Sequence, residues 1–223
     1  MKFFLRLFTL LLFPALSLTA QVPELVDLGL SVKWASCNLG ASNPKDFGFY
    51  YMWGETSPAT DRECSWKSYS LANGDDNKLT KYIPDSLASK YGDNDFFDNK
   101  RVLDPEDDAA HVALGGKWRI PTNDEWLELH ENCTWTWTQL NGIQGYKVTS
   151  NVDGFTDKSI FLPAAGCRSS SDISFLGSSG YYWSASLYEG NPYDARDYGF
   201  GERYRNWGGM NRCNGFSVRP VSD

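Results

Sequence analysis

Outside its first twenty residues this chain has no apolar run approaching the ~18 residues needed to cross a bilayer. It also has no excess of positive charge. Its 21 Lys+Arg stand against 28 Asp+Glu, which leaves no electrostatic footprint for a phosphate backbone and excludes nucleic acid as a partner. Histidine is scarce, with only His111 and His130, and no two cysteines are spaced Cys-x-x-Cys, so no metal ligands are assigned. Cysteine is odd in number, at Cys37, Cys64, Cys133, Cys167 and Cys213. Disulfides therefore leave at least one thiol over, and the favoured reading is a set of small buried hydrophobes. No Ser or Cys stands in a nucleophile context, so no catalytic residue is assigned either.

The amino terminus reads Met1-Lys-Phe-Phe-Leu-Arg6, then apolar from Leu7 to Leu18, then Thr19-Ala20-Gln21, the layout of a secretory signal peptide over residues 1–20. Residues 21–223 are then the mature chain, with 19 Lys+Arg against 28 Asp+Glu and a formal charge of −9 once Lys2 and Arg6 are gone. The expected location is exported: periplasmic, cell-surface or secreted. No Cys follows Ala20 to take a lipid anchor. About 200 residues can bury one sizeable core, and no linker divides them, so one monomeric domain is expected.

Short aromatic and β-branched runs separated by Gly, Asn and Asp predict many short strands. Leu25 to Trp34 reads as a hairpin turning near Gly29, and Phe49-Tyr-Tyr-Met-Trp53 as a buried strand. The stretch 72–108, rich in Asp, Asn, Lys and Ser, reads as an irregular, solvent-facing excursion. One helix is well marked: Thr122 and Glu125 form a capping box, with Trp126, Leu129 and Cys133 on one face. Thr134-Trp-Thr-Trp-Thr138, the turn at Asn141-Gly142 and Gly145-Tyr-Lys-Val-Thr149 predict a second hairpin, with Trp135 and Trp137 split between core and surroundings. Ser159 to Ala165 reads as another strand.

The segment Tyr188 to Asn214 has a different character, with Tyr, Arg, Asn, Asp and Gly but almost no aliphatic residue. Such a mixture builds no core and resembles a paratope, in which rigid aromatics supply area and Arg and Asn supply directional bonds. The ligand-binding residues expected are Tyr188, Asn191, Tyr193, Asp194, Arg196, Asp197, Tyr198, Arg203, Tyr204, Arg205, Asn206, Trp207 and Asn211. Surface loops of aromatic-rich β proteins share this composition without any ligand, and that alternative stays open.

Two signatures carry a family resemblance. Arg119-Ile-Pro-Thr-Asn-Asp-Glu-Trp126 and the closing Gly215-Phe-Ser-Val-Arg219-Pro-Val resemble motifs of the formylglycine-generating enzyme superfamily. Val26-Asp-Leu-Gly-Leu-Ser-Val-Lys-Trp-Ala35, Trp53-Gly-Glu-Thr56, Glu106-Asp-Asp-Ala-Ala-His111, Gly115-Gly-Lys-Trp-Arg119 and Tyr181-Tyr-Trp-Ser-Ala-Ser186 resemble the Fibrobacter succinogenes major paralogous domain family, common in exported Bacteroidetes proteins. The resemblance implies an α+β, C-type-lectin-like fold of short twisted antiparallel strands, few helices and much irregular loop. In it Arg119 and Glu125 are expected to hold the helix start.

The superfamily includes an oxidase, whose redox cysteines are spaced Cys-x-x-x-x-Cys. Cys167 and Cys213 are not so spaced, so a non-enzymatic protein is expected. Calcium-lectin signals are absent apart from a faint echo in Asn191-Pro-Tyr-Asp194, and the acidic cluster Asp93 to Asp98 lacks EF-hand spacing, which leaves calcium without a placed site. Some lectin-fold relatives carry a C-terminal variable region written by a diversity-generating retroelement that rewrites adenines. Asparagine codons so randomised never give Glu, Met, Trp, Lys or Gln. Glu189, Glu202, Trp207 and Met210 would then be fixed, and Cys213 an accidental, unpaired thiol. The expected function is an exported binding protein for a protein or glycan ligand. The alternatives are an oxidoreductase like the formylglycine enzymes and a structural component of a bacterial surface assembly.

Overall fold

The computed structural model describes residues 22–90 and 97–223. The signal-peptide expectation and the Asp93 to Phe96 part of the acidic cluster fall outside them. Strands predominate and helices are few: β1 (Leu25–Val26), β2 (Lys33–Ala35), β3 (Tyr50–Tyr51), helix α1 (Ala109–Leu114), β4 (Trp118–Arg119), helix α2 (Asn123–Glu131), β5 (Cys133–Leu140), β6 (Ile143–Ser150), β7 (Ser159–Pro163), β8 (Cys167–Ser169), β9 (Asp172–Ser174), β10 (Ser179–Leu187), β11 (Asp194–Gly201), β12 (Tyr204–Asn211), β13 (Phe216–Ser217) and β14 (Val221–Ser222). Among the described residues no helix is long and apolar enough to cross a membrane.

The strands form sheets ordered β1-β2-β14-β4, β12-β11-β10-β13-β3, β5-β6-β7 and β8-β9. The carboxy-terminal strand β14 lies between β2 and β4, antiparallel to both. The Arg219 that precedes it is fully buried and donates to Asn38 Oδ1 at 2.9 Å, Ala35 O at 3.1 Å and Phe161 O at 2.7 Å. One guanidinium thus ties three distant segments together, each acceptor offsetting part of its desolvation.

Helix α2 starts as its sequence predicts. Glu125 N–H donates to Thr122 Oγ1 at 3.3 Å, and Thr122 N–H donates to Glu125 Oε2 at 2.7 Å. Arg119 grips the same carboxylate with two bonds, at 2.8 and 2.6 Å. The β5–β6 hairpin turns through Asn141 (φ 50°) and Gly142 (φ 84°), both left-handed, which matches strand twist.

Three expectations need correction. Trp135 and Trp137 both pack against the same core cluster, because residues two apart on a strand share a face. The 72–108 excursion is irregular but not simply solvent-facing. Leu79, Tyr82, Ile83, Leu87 and Leu103 are buried, and the Asp98 carboxylate accepts the Tyr82 and Ile83 N–H groups at 2.7 Å each. Cys133, expected on the helix face with Trp126 and Leu129, opens β5 instead, because α2 ends at Glu131, and helix α1 is capped at its start by Asp108, which accepts from Ala110 and His111 N–H.

Apolar packing falls into three clusters. The first gathers Trp34, Trp126, Leu129, Tyr146, Tyr182, Tyr198 and Phe200 beneath α2 and the β5–β7 sheet. The second joins Trp53, Tyr82, Leu103, Trp183 and Phe216 on the other side of β10. The third, around Met52, Tyr69, Ile83, Cys64 and Cys213, sits under the excursion.

Candidate functional site

The segment Tyr188 to Asn214 separates into two strands with opposite fates. In β11, Ala195, Asp197, Tyr198, Gly199, Phe200 and Gly201 are all buried, whereas in β12 Tyr204, Arg205, Asn206, Trp207, Met210 and Asn211 are all exposed. The cause is position: β11 lies between β10 and β12, while β12 ends the sheet. An antiparallel register from Asp194↔Asn211 to Gly201↔Tyr204 fixes which side chains share a face, since paired residues point the same way.

One face, turned toward α2, carries Arg196, Tyr198, Phe200, Arg205, Trp207 and Asn211. Tyr198 belongs to the core: it is 0% exposed, its ring lies parallel to Trp126 at 5.1 Å, and its hydroxyl is 2.6 Å from His130 Nδ1. The expectation that Tyr198 supplies ligand contact is therefore corrected, because a side chain sealed under α2 offers no area. Toward the sheet edge the same face opens into an arginine and aromatic stripe. The Arg205 guanidinium lies 5.5 Å from the Trp135 ring and 5.6 Å from that of Tyr146, and Trp207 meets the His130 ring edge-on at 5.2 Å. Burial, with Arg205 adding to it, holds His130 below the usual histidine range. At the other end Arg196 sits 4.7 Å over the Tyr188 ring and donates to Glu189. Tyr188 in turn covers Gly209, where a Cβ would come within 2.4 Å of its ring.

The opposite face carries Asp197, Gly199, Gly201, Tyr204, Asn206, Gly208 and Met210. Tyr204 is 43% exposed and donates to Ser179 Oγ at 3.1 Å. Asp197 is only 5% exposed, so it is not a surface contact of the kind expected. Its desolvation, with Asp194 nearby, pushes the carboxyl up to about 7.

The remaining expected residues lie around the hairpin. Arg203 is exposed in the β11–β12 turn. Asn191 shapes a turn by accepting the Tyr193 N–H at 3.0 Å. Tyr193 leans away from β12 onto Trp66 and bonds Asn77 at 3.2 Å, so it joins the hairpin to the excursion. Asp194 is half-buried, and its carboxyl is raised by burial. The structure thus exposes Arg205, Trp207 and Asn211 on one face of β12, with Tyr188 and Arg196 beside them, and Tyr204 and Asn206 on the other face, and it withdraws Asp197 and Tyr198.

Sequence reasoning missed Met210, 38% exposed, and the partners His130, Trp135 and Tyr181. It also passed over Phe175 and Leu176, 58% and 50% exposed, with the Phe175 ring 6.2 Å from Tyr181. The available signal was apolar residues inside the Ser/Gly-rich stretch 169–180, where a solvated loop has no use for them.

All five cysteines are buried free thiols, in keeping with the reading of them as small buried hydrophobes, and Cys213 is one of them. Burial pushes each thiol up, to about 11 for Cys133 and about 12 for Cys213. No group of three His, Cys, Asp or Glu among the described residues is placed to hold a metal ion. A concavity of about 480 Å³ lies elsewhere, between Glu24, Val26, Ser36, Thr138, Lys147 and Phe161, with no residue of the hairpin in its wall. Compared with known proteins, the chain matches no family model, no curated protein and no solved structure.

Proposed function

We propose that this chain is an exported, non-catalytic binding protein of C-type-lectin-like fold, monomeric, which holds a protein or glycan ligand on its β11–β12 hairpin. The fold assignment rests on the motif resemblance, together with a strand-rich architecture of few helices. The observation that carries the function is the contrast between β11, buried along most of its length, and β12, exposed along most of its length with Arg205, Trp207 and Asn211 on one face and Tyr204 and Asn206 on the other. A sheet edge backed by a packed strand holds such side chains at low entropic cost, and aromatic and Arg residues dominate binding hot spots. The oxidoreductase alternative needs a low-pKa, accessible thiol; burial works against that for every cysteine here.

The test is capture on glycan and peptide arrays by the purified protein beside an Arg205→Ala/Trp207→Ala double variant. A discrete set of captured ligands, lost in the variant while its unfolding midpoint stays within a few degrees, is the expected result. Capture that ignores both changes would refute the assignment.

A further inference from the structure

Cross-strand register stacks three rows across β10, β11 and β12 on the face that carries Asp197: Ser179, Gly201 and Tyr204; Tyr181, Gly199 and Asn206; Trp183, Asp197 and Gly208. The rows are not filled alike. Tyr204 folds over Gly201, where a Cβ would meet its ring at 2.6 Å. At Gly208 a Cβ would meet only Asp197 Oδ1, at 3.5 Å, and at Gly199 it would meet the Asn206 side chain at 3.3 Å, Asp197 Oδ2 at 3.6 Å and the Tyr181 ring at 3.6 Å. Two absent side chains therefore leave a cradle whose floor is the Asp197 carboxylate.

That carboxylate has an unmet need. Asp197 is 5% exposed, and its Oδ1 has no hydrogen-bond partner among the described residues. Arg196, its neighbour in sequence, points to the other face and is engaged with Glu189 and Tyr188. Around Asp197 the charged and titratable groups are Asp194 and Arg196 on its own strand, Tyr181 on β10 and Cys167 on β8. Trp183 adds an apolar wall, fully buried and stacked 4.2 Å from Phe216. An orphaned buried carboxylate of this kind is costly unless a cation or donor meets it.

We infer that the glycine cradle over Asp197 is a subsite for a protonated primary amine carried by the ligand. The ammonium bonds the Asp197 carboxylate, the Asn206 amide oxygen takes a second of its protons, and the Tyr181 ring faces the charge. A divalent metal fits less well, because such ions gather several oxygens and the floor presents one carboxylate. The inference deepens the proposed function and rests on the Asp197 face of the hairpin being part of the ligand surface. The amine has two sources with the same chemistry, a lysine side chain of a protein or an amino sugar of a glycan.

The experiment follows the Asp197 carboxyl carbon by NMR in the full chain labelled at aspartate carboxyls, with Asp197→Asn identifying the resonance. The probes are Nα-acetyl-lysine methylamide, its neutral Nε-acetylated form, and glucosamine. At least one amine is expected to shift the resonance saturably and to lower its titration midpoint from about 7, while the neutral analogue binds at least about tenfold more weakly. A response to the lysine amide points to a protein ligand, a response to glucosamine to a glycan. Gly208→Val, which fills the cradle on a strand position of ordinary φ, should abolish the response with the unfolding midpoint retained. Silence of Asp197 to both amines, an equal response to the neutral analogue, or an undiminished response in Gly208→Val overturns the subsite. If array capture still depends on Arg205 and Trp207 in that event, the subsite falls alone. Array capture indifferent to those two residues would bring down the surface reading, whatever Asp197 does.

Discussion

Replacing Asp197 by Asn keeps the shape of the side chain and removes its titration. In the folded protein, burial and the neighbouring Asp194 raise the carboxyl from 3.8 to about 7. Between those values the folded state holds a proton that the unfolded chain has released, so the contribution is complete below about pH 4 and is lost as pH rises through about 7. A gap of roughly three units at ~1.36 kcal/mol each gives a loss on the order of 4 kcal/mol across that window. The substituted amide does not titrate, so the variant gains on the wild type by that amount between about pH 4 and pH 8, mostly below pH 7. His130, held low by burial and Arg205, loses stability in the opposite direction as pH falls; it titrates in both proteins and cancels from the difference. Urea unfolding followed by tryptophan fluorescence at about pH 4, 6 and 8 measures that difference. A constant gap between the two proteins would show that Asp197 titrates normally and would refute the reading of it as a desolvated, unpartnered acid.

Tyr198→Ala should cost about 3–5 kcal/mol in unfolding free energy, because it removes a ring stacked on Trp126 and the partner of His130. Tyr204→Ala at the exposed edge should stay within about 1 kcal/mol, and equal losses at the two sites would contradict the division between β11 and β12. A thiol reagent should find no reactive cysteine in the native protein and five after unfolding; two fast native thiols would revive the oxidoreductase alternative. Thr122→Ala, which removes one arm of the capping box, should lower stability by about 1 kcal/mol, and a neutral result would mean the Arg119 to Glu125 pair holds the helix start unaided.

Elements with local determinants were legible in the sequence. The capping box, the Asn141-Gly142 turn and the period-two run around Trp135 each depend on residues a few positions apart, and each stands where it was expected. The excursion was misread because its buried residues Leu79, Tyr82, Ile83 and Leu103 have no period; what fastens them is Asp98 and Asp107, bonded to Tyr82 from far along the chain. The site was legible as a segment but not as a surface. Composition marks Tyr188 to Asn214 as unusual, yet Tyr198 and Tyr204 look alike in sequence. Only sheet order decides that one lies under α2 and the other at the edge.

The same order limits how far such a segment could vary. A variable region spanning Tyr188 to Asn214 would randomise Phe200, Tyr198 and Ala195, each fully buried, along with Arg212, whose buried guanidinium lies 5.2 Å from the Trp53 ring and donates to Tyr82 O at 2.7 Å. Random changes at those sites would open cavities or strand buried polar groups at several kcal/mol each, comparable to the whole stability of a domain. Positions 203–206 and 211 are exposed, and changes there stay near neutral in stability. Trp207 and Met210, out of reach of asparagine-codon randomisation, would remain as fixed apolar contacts within that window. If a retroelement acts on this gene, differences between isolates should therefore concentrate in 203–211 and spare 195–200 and 212–213. Sequencing the locus from several isolates decides it: variation spread evenly over 188–214 would contradict the burial of β11, and the absence of any template copy beside a reverse transcriptase gene would remove the retroelement reading.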